Sequence, residues 1–143
     1  MRPDQEKPPR LVFLLMEAER RLGRWISRRG SSRGISAAAA GVLFYVAGNP
    51  AATTGQVAEA LHGSAAGTSG LLARMESAGL IQRTLDPEDR RSIRISLAPA
   101  GEDAMKDVRT AVSDLNGLVT DGFSAQELET VARWLAHVSK SVG

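Results

Sequence analysis

The apolar positions of this chain follow two spacings. Over most of its length they step by three and four, which gathers them on one face of an α-helix. Leu11, Leu14, Leu15, Ala18, Leu22, Trp25 and Ile26 form such a stripe and predict a first helix over about 10–28, broken by the RRGSSRG stretch from Arg28 to Gly34. Ser36 suits the cap of a second helix, SAAAAGVLFYVAG, stopped by Gly48, Asn49 and Pro50. A short third helix is predicted over about 54–61, with Val57, Ala58 and Leu61 inward. Ser64 caps a fourth, carrying Leu71, Leu72, Met75 and Ala78 on one side and ended by Gly79. Pro99 opens a fifth, to about 121, on Met105, Val108, Val112, Leu115 and Val119. A capping box from Ser124 to Glu127 opens the last, on Leu128, Val131, Leu135, Val138 and Val142.

One region alternates instead. Ile93, Ile95 and Leu97 share one face, and Ser92, Arg94 and Ser96 the other, as in a half-buried strand. IQRTL, from Ile81 to Leu85, is a second short strand. Between them lies DPEDRR, with a proline, three acids, Arg90 and Arg91. A hairpin tip needs only turn chemistry, so this charge asks for a purpose. The predicted fold is mainly α with a small β-hairpin wing. Residues 1–9 read as a flexible arm, 35–98 as a helix-turn-helix with its wing, and 10–34 with 99–143 as flanking helices. The two apolar seams of the last helices suit helix pairing, within a chain or between chains.

Helix, tight turn, helix and hairpin is the order of a winged helix-turn-helix, whose second helix enters the DNA major groove. The helix after Ser64 fits that role. Its face away from Leu71 and Met75 carries Ala66, Ser69, Gly70, Ala73 and Ser77, all small. A solvated face would normally carry long charged side chains. Ser69 suits base edges or phosphate, and Arg74 at the border suits phosphate. Thr54 and Ser64, at the starts of the two helices, complete the candidates on the helix pair. The competing reading is a tightly packed internal helix. In the wing, Arg90 and Arg91 would meet neighbouring phosphates or the electronegative minor groove. Asp86 and Asp89 would fix the turn and brace the guanidinium groups. The competing reading here is a solvated loop with weak surface ion pairs.

Charge refines the picture by its distribution. The net charge is only +2, but fifteen of the eighteen basic residues are arginine. Six arginines and no acid fall between Arg20 and Arg33, while seven acids face four bases from Gly101 onward. Such a chain meets a polyanion locally and stays soluble. The arginine-rich stretch is a solvated helix end or an auxiliary phosphate contact. There is no cysteine, which excludes disulfides, thiolate metal sites and thiol redox sensing. His62 and His137 lack metal-ligand spacing, so no metal and no cofactor is expected. GSAAGTSG lacks the Gly-Lys-Ser/Thr ending of a phosphate loop. No catalytic group stands out, so an enzyme is not expected. No apolar run approaches a membrane span and no apolar leader begins the chain, which points to a cytoplasmic protein.

Three motifs in this order, RMESAGLIQR (Arg74 to Arg83), DPEDRRSIRISL (Asp86 to Leu97) and PAG (Pro99 to Gly101), resemble the MarR family of bacterial transcription regulators. The likeness runs from about Leu11 to Val138, with Asp89 and Arg91 in the family's Asp-x-Arg wing positions. It implies a homodimer joined by the first helix and the last two. It implies a palindromic DNA operator, read by two recognition helices and two wings. It further implies a repressor relieved by a small, often aromatic and anionic, ligand. That ligand would lie near Phe13, Trp25, Phe44 and Tyr45, residues that are more simply read as core. The alternative is a winged-helix interaction scaffold that does not bind DNA. The chain departs from the family pattern at Ala98, where a helix-capping threonine is common. Gly67 and Gly70 also weaken the recognition helix, by roughly 1 kcal/mol each against alanine. Members that sense oxidants through cysteine are no guide here.

Overall fold

The computed structural model describes residues 7–30 and 34–143. Most of the arm expected over 1–9, and Arg33 in the linker, lie outside the described residues. The elements are α1 (Leu11–Gly30), α2 (Ala37–Gly48), α3 (Thr54–Ala60), α4 (Ala65–Ser77), β1 (Ile81–Leu85), β2 (Ile93–Leu97), α5 (Pro99–Thr120) and α6 (Ala125–Ser141). Every predicted element is present, and the fold is mainly α with one two-stranded hairpin. α1 runs past the expected stop at Arg28. It ends at Gly30, whose carbonyl accepts the Ile35 N–H at 2.9 Å. A Cβ on Gly30 would collide with the Ile35 carbonyl oxygen.

The chain divides into two compact units, Met1–Arg109 and Thr110–Gly143. The first holds the winged helix. α2 is apolar nearly all round, as a buried helix must be. It touches α1, α3 and β2, and its Val42 and Leu43 are fully buried. Val57 of α3, Leu72 and Met75 of α4, Ile81 of β1 and Ile95 of β2 join that core. Serine and threonine caps start the helices: Ser36 Oγ accepts from the Ala39 N–H, and Thr53 and Gln56 exchange side-chain and backbone bonds.

The hairpin is antiparallel, with Ile81 opposite Leu97 and Leu85 opposite Ile93. β2 has a further neighbour on its other edge. The Ile95 N–H donates to the Ala52 carbonyl at 2.8 Å, and Arg94 bridges to Thr53. The PAG motif gains a steric reason from Gly101, which sits against the chain at Leu80. A Cβ at Gly101 would overlap the Leu80 carbonyl oxygen. That carbonyl accepts the Ala98 N–H at 3.0 Å, and the Ala98 carbonyl accepts the Glu102 N–H at 2.9 Å. Ala98 is itself buried, and α5 starts at Pro99 without a hydroxyl cap.

The second unit holds the end of α5, a turn at Gly122 with φ of 84°, and α6. Ser124 and Glu127 form the predicted capping box. α6 buries no residue, and Val131, Leu135 and Val142 stay exposed.

Candidate nucleic-acid interface

α4 has two distinct sides. Thr68, Leu72 and Met75 are buried, while Ala66, Ser69, Ala73 and Ser77 are exposed and Gly70 is half-buried. The small face is therefore an outer surface, and the internal-helix reading does not hold. Gly67 has a local reason. Ser64 Oγ accepts the Gly67 N–H at 3.0 Å, and a Cβ on Gly67 would lie 2.9 Å from that oxygen. A Cβ at Gly70 would meet only the Arg74 Nη1, at 3.4 Å, an ordinary contact.

Two grooves flank this helix. One, of about 240 Å³, brings Thr54 and Ser69 together with Thr68, Arg83 and Ile93. The other, of about 280 Å³, brings Ser64 and Arg74 together with Ser36 and Gly67. The four sequence-predicted positions on the helix pair thus fall into two pairs, and Arg74 is exposed.

At the wing, Asp89, Arg90 and Arg91 are all exposed. Asp89 holds the turn through the backbone: its Oδ1 accepts the Arg91 N–H at 3.0 Å and its carbonyl the Ser92 N–H at 2.9 Å. Asp86 does the same one step earlier, accepting the Glu88 N–H at 2.9 Å. The expected bracing of the tip guanidinium groups is corrected here. Asp86 faces Arg94 of β2, with Oδ2 to Nε at 3.1 Å, not Arg90 or Arg91. Arg94 stands on the returning strand, within reach of the turn that Asp86 closes. Arg90 and Arg91 make no ion pair among the described residues. The Glu88 N–H, and after it Arg94, hold the Asp86 carboxyl below the usual carboxylate range.

One link escaped the sequence reading. Arg83 Nη2 lies 3.0 Å from Glu76 Oε1, and the Arg83 N–H donates to Glu76 Oε2 at 3.2 Å. This ties β1 to the end of α4 and lowers the Glu76 pKa. Both residues sit within RMESAGLIQR, but a pair seven apart becomes visible only once the Gly79 turn folds one element onto the other.

The four aromatic candidates are more dispersed. Phe13 is 68% exposed and Phe44 44%, so neither is a core residue. Trp25 is half-buried, with the Arg29 guanidinium 5.3 Å from its ring centroid, and Tyr45 is half-buried. None of them lines the two grooves beside α4 or a more open one, of about 520 Å³, between α1 and the start of α2. Arg20, Arg24 and Arg28 line that open groove. No described helix is long and apolar enough to cross a membrane.

A small-faced helix displayed beside an arginine-tipped hairpin defines a winged helix-turn-helix protein. Residues 33–92 match the model of the MarR family. It is similar to YsmB, an uncharacterized HTH-type transcriptional regulator of Bacillus subtilis, at 30% identity over 76 residues. That match covers 53% of this chain and 52% of YsmB, so it spans about half of the relative's length. A probable transcriptional regulator from Pseudomonas aeruginosa superposes with a TM-score of 0.77 at 28% identity, over 91% of this chain and 97% of that one. MepR of S. aureus, solved in complex with DNA, shares the fold with a TM-score of 0.85 at 19% identity, over 93% and 98% of the two chains.

Proposed function

We propose that the protein is a homodimeric, DNA-binding transcription regulator that acts as a repressor and is relieved by a small-molecule ligand. The observation that carries DNA binding is the pair of exposed arginines, Arg90 and Arg91, at the tip of the hairpin whose first strand packs on α4, together with the exposed small face of that helix. A face of Ala66, Ser69 and Ala73 lets a helix approach base edges closely, and the wing-tip guanidinium groups would meet phosphate or the minor groove. Arg74, Thr54 and Ser64 add contacts on either side of α4. The S. aureus relative bound to DNA supports the same use of the fold. Acting on DNA places the protein in the cytoplasm, and its work is binding rather than catalysis.

Dimer formation is supported by apolar side chains left outward. On α1, Val12, Phe13, Leu14 and Met16 are exposed, and on α6 Val131 and Leu135 are. A second copy covering such faces would remove apolar surface from water, which otherwise marks an interaction site. A two-fold dimer reads a palindrome, with half-sites about one helical turn apart. The ligand reading rests on the family resemblance and on Phe13, Trp25, Phe44 and Tyr45, the latter two on α2. With no cysteine, relief comes from a ligand that favours the DNA-free state.

Selection of bound duplexes from a random-sequence DNA library tests the reading. An enriched inverted repeat is the expected result. Failure to enrich any sequence, with no measurable affinity for duplex DNA, would favour the interaction scaffold instead.

A further inference from the structure

We infer that Asp86 and Arg94 are positioning residues for DNA contact: their ion pair fixes the direction in which the wing carries Arg90 and Arg91. This rests on the DNA-binding reading above. A hairpin of two five-residue strands is marginal by itself in water, so something beyond its own ladder must set the direction of its tip. The structure supplies two fixed points. The first is the Glu76–Arg83 pair, which holds β1 to α4. The second, nearer the tip, is Asp86 against Arg94.

Each partner of that second pair is anchored elsewhere. Asp86 belongs to the turn: its N–H donates to the Ser92 carbonyl and its Oδ1 accepts from Glu88. Arg94 belongs to the frame. Its backbone bridges to Thr53, the cap of α3, and the next residue bonds Ala52. The ion pair therefore joins the tip-bearing turn to the helix that precedes the recognition helix. The site is sheltered on one side only: the Asp86 side chain is 12% exposed and that of Arg94 37%. Asp86 is buried, and Arg94 Nε is sealed from solvent with its N–H not aligned on any acceptor, so the contact with Oδ2 is electrostatic rather than a straight hydrogen bond. Removing Arg94 leaves the Asp86 carboxylate without its strand partner, and removing Asp86 frees the half-exposed Arg94 guanidinium from the turn.

The wing carries three arginines beyond β1, and this geometry divides their labour. Arg90 and Arg91 are free for DNA, whereas Arg94 is committed to Asp86 and adds no phosphate contact of its own.

The test compares Asp86→Asn, Arg94→Gln and their double variant with the parent protein. Two readouts are used: hydrogen exchange without DNA, and titration of a library-selected duplex at several salt concentrations. In free protein, the Asp86 and Ser92 amides should exchange faster in all three variants while the α2 amides keep their protection. Unchanged exchange at Asp86 and Ser92 would overturn the brace whether or not the protein binds DNA. On DNA, both single variants should bind about tenfold more weakly, the loss expected for one interaction of a charged group. The double variant should be no worse than either single one. Adding Arg90→Ala to Asp86→Asn should cost less than Arg90→Ala costs the parent. A lower salt slope in Arg94→Gln with normal binding by Asp86→Asn would show Arg94 on phosphate, and would overturn the assignment. Faster exchange without DNA binding by any form, the parent included, would leave the pair as a wing brace and defeat the DNA reading alone.

Discussion

α4 and α6 both open on a serine cap whose hydroxyl accepts the N–H three residues on, and both carry an apolar stripe. They use it differently. α4 buries Thr68, Leu72 and Met75 and shows small residues outward. α6 buries nothing, and leaves Val131 50% and Leu135 39% exposed. The apolar side of α4 is consumed by the chain's own core, so its outer side is free for a polar ligand. The apolar side of α6 is not consumed, so its need is for another apolar surface. The same periodic signal thus serves a core in one helix and, on the dimer reading proposed above, a docking face in the other. The surroundings of each helix decide which.

Core truncation should separate the two most sharply. Leu72→Ala should cost about 2–5 kcal/mol of stability, since it opens a cavity in a fully buried site. Denaturant unfolding at two protein concentrations should show that loss equally at both. Leu135→Glu should act through association instead. It should weaken the dimer about a hundredfold, close to 2.7 kcal/mol. Sedimentation at micromolar concentration should give about twice the 15.2 kDa chain mass for the parent and a single chain mass for the variant. A stable, soluble parental monomer would contradict the role given to α6.

Gly101→Ala comes next, at about 1–3 kcal/mol, because its Cβ has no room against Leu80. A melting temperature equal to the parent's would show that the contact relaxes freely. The cap of α6 is smallest: Ser124→Ala should cost about 1 kcal/mol. The same cap has a pH signature. The Ser124 N–H and hydroxyl hold the Glu127 carboxyl below its ordinary value. A depressed carboxylate stabilises fully above its unfolded pKa, about 4.3, and that contribution disappears as pH falls through the lower folded value. Stability measured between pH 5 and 2 should therefore fall less in Glu127→Gln than in the parent.

Much of this architecture was legible in the chain, for local reasons. Ser36, Ser64 and Ser124 are caps wherever they stand before an apolar helix, and the alternation at Ile93, Ile95 and Leu97 admits only a strand. The small face of α4 was also visible, because Ser69 and Ala73 lie opposite Leu71 and Met75 at helical spacing. What stayed hidden depends on contacts made after folding. Asp86 had Arg90 and Arg91 close in sequence, yet it pairs with Arg94, which the hairpin register brings back beside the turn. Glu76 and Arg83 meet across the Gly79 turn in the same way. Phe13 and Phe44 look like core residues by type, but their exposure depends on which side of α1 and α2 the neighbouring elements cover.

The most direct measurement is titration of the selected duplex with the parent, Arg90→Ala and Arg91→Ala at several salt concentrations. Each arginine that meets phosphate releases counterions when it binds, so its loss should weaken binding nearly uniformly across sequences. It should also lower the slope of log affinity against log salt by about 1 per subunit contact. Folded variants with the parent's affinity and the parent's slope would contradict the claim that the wing reaches DNA.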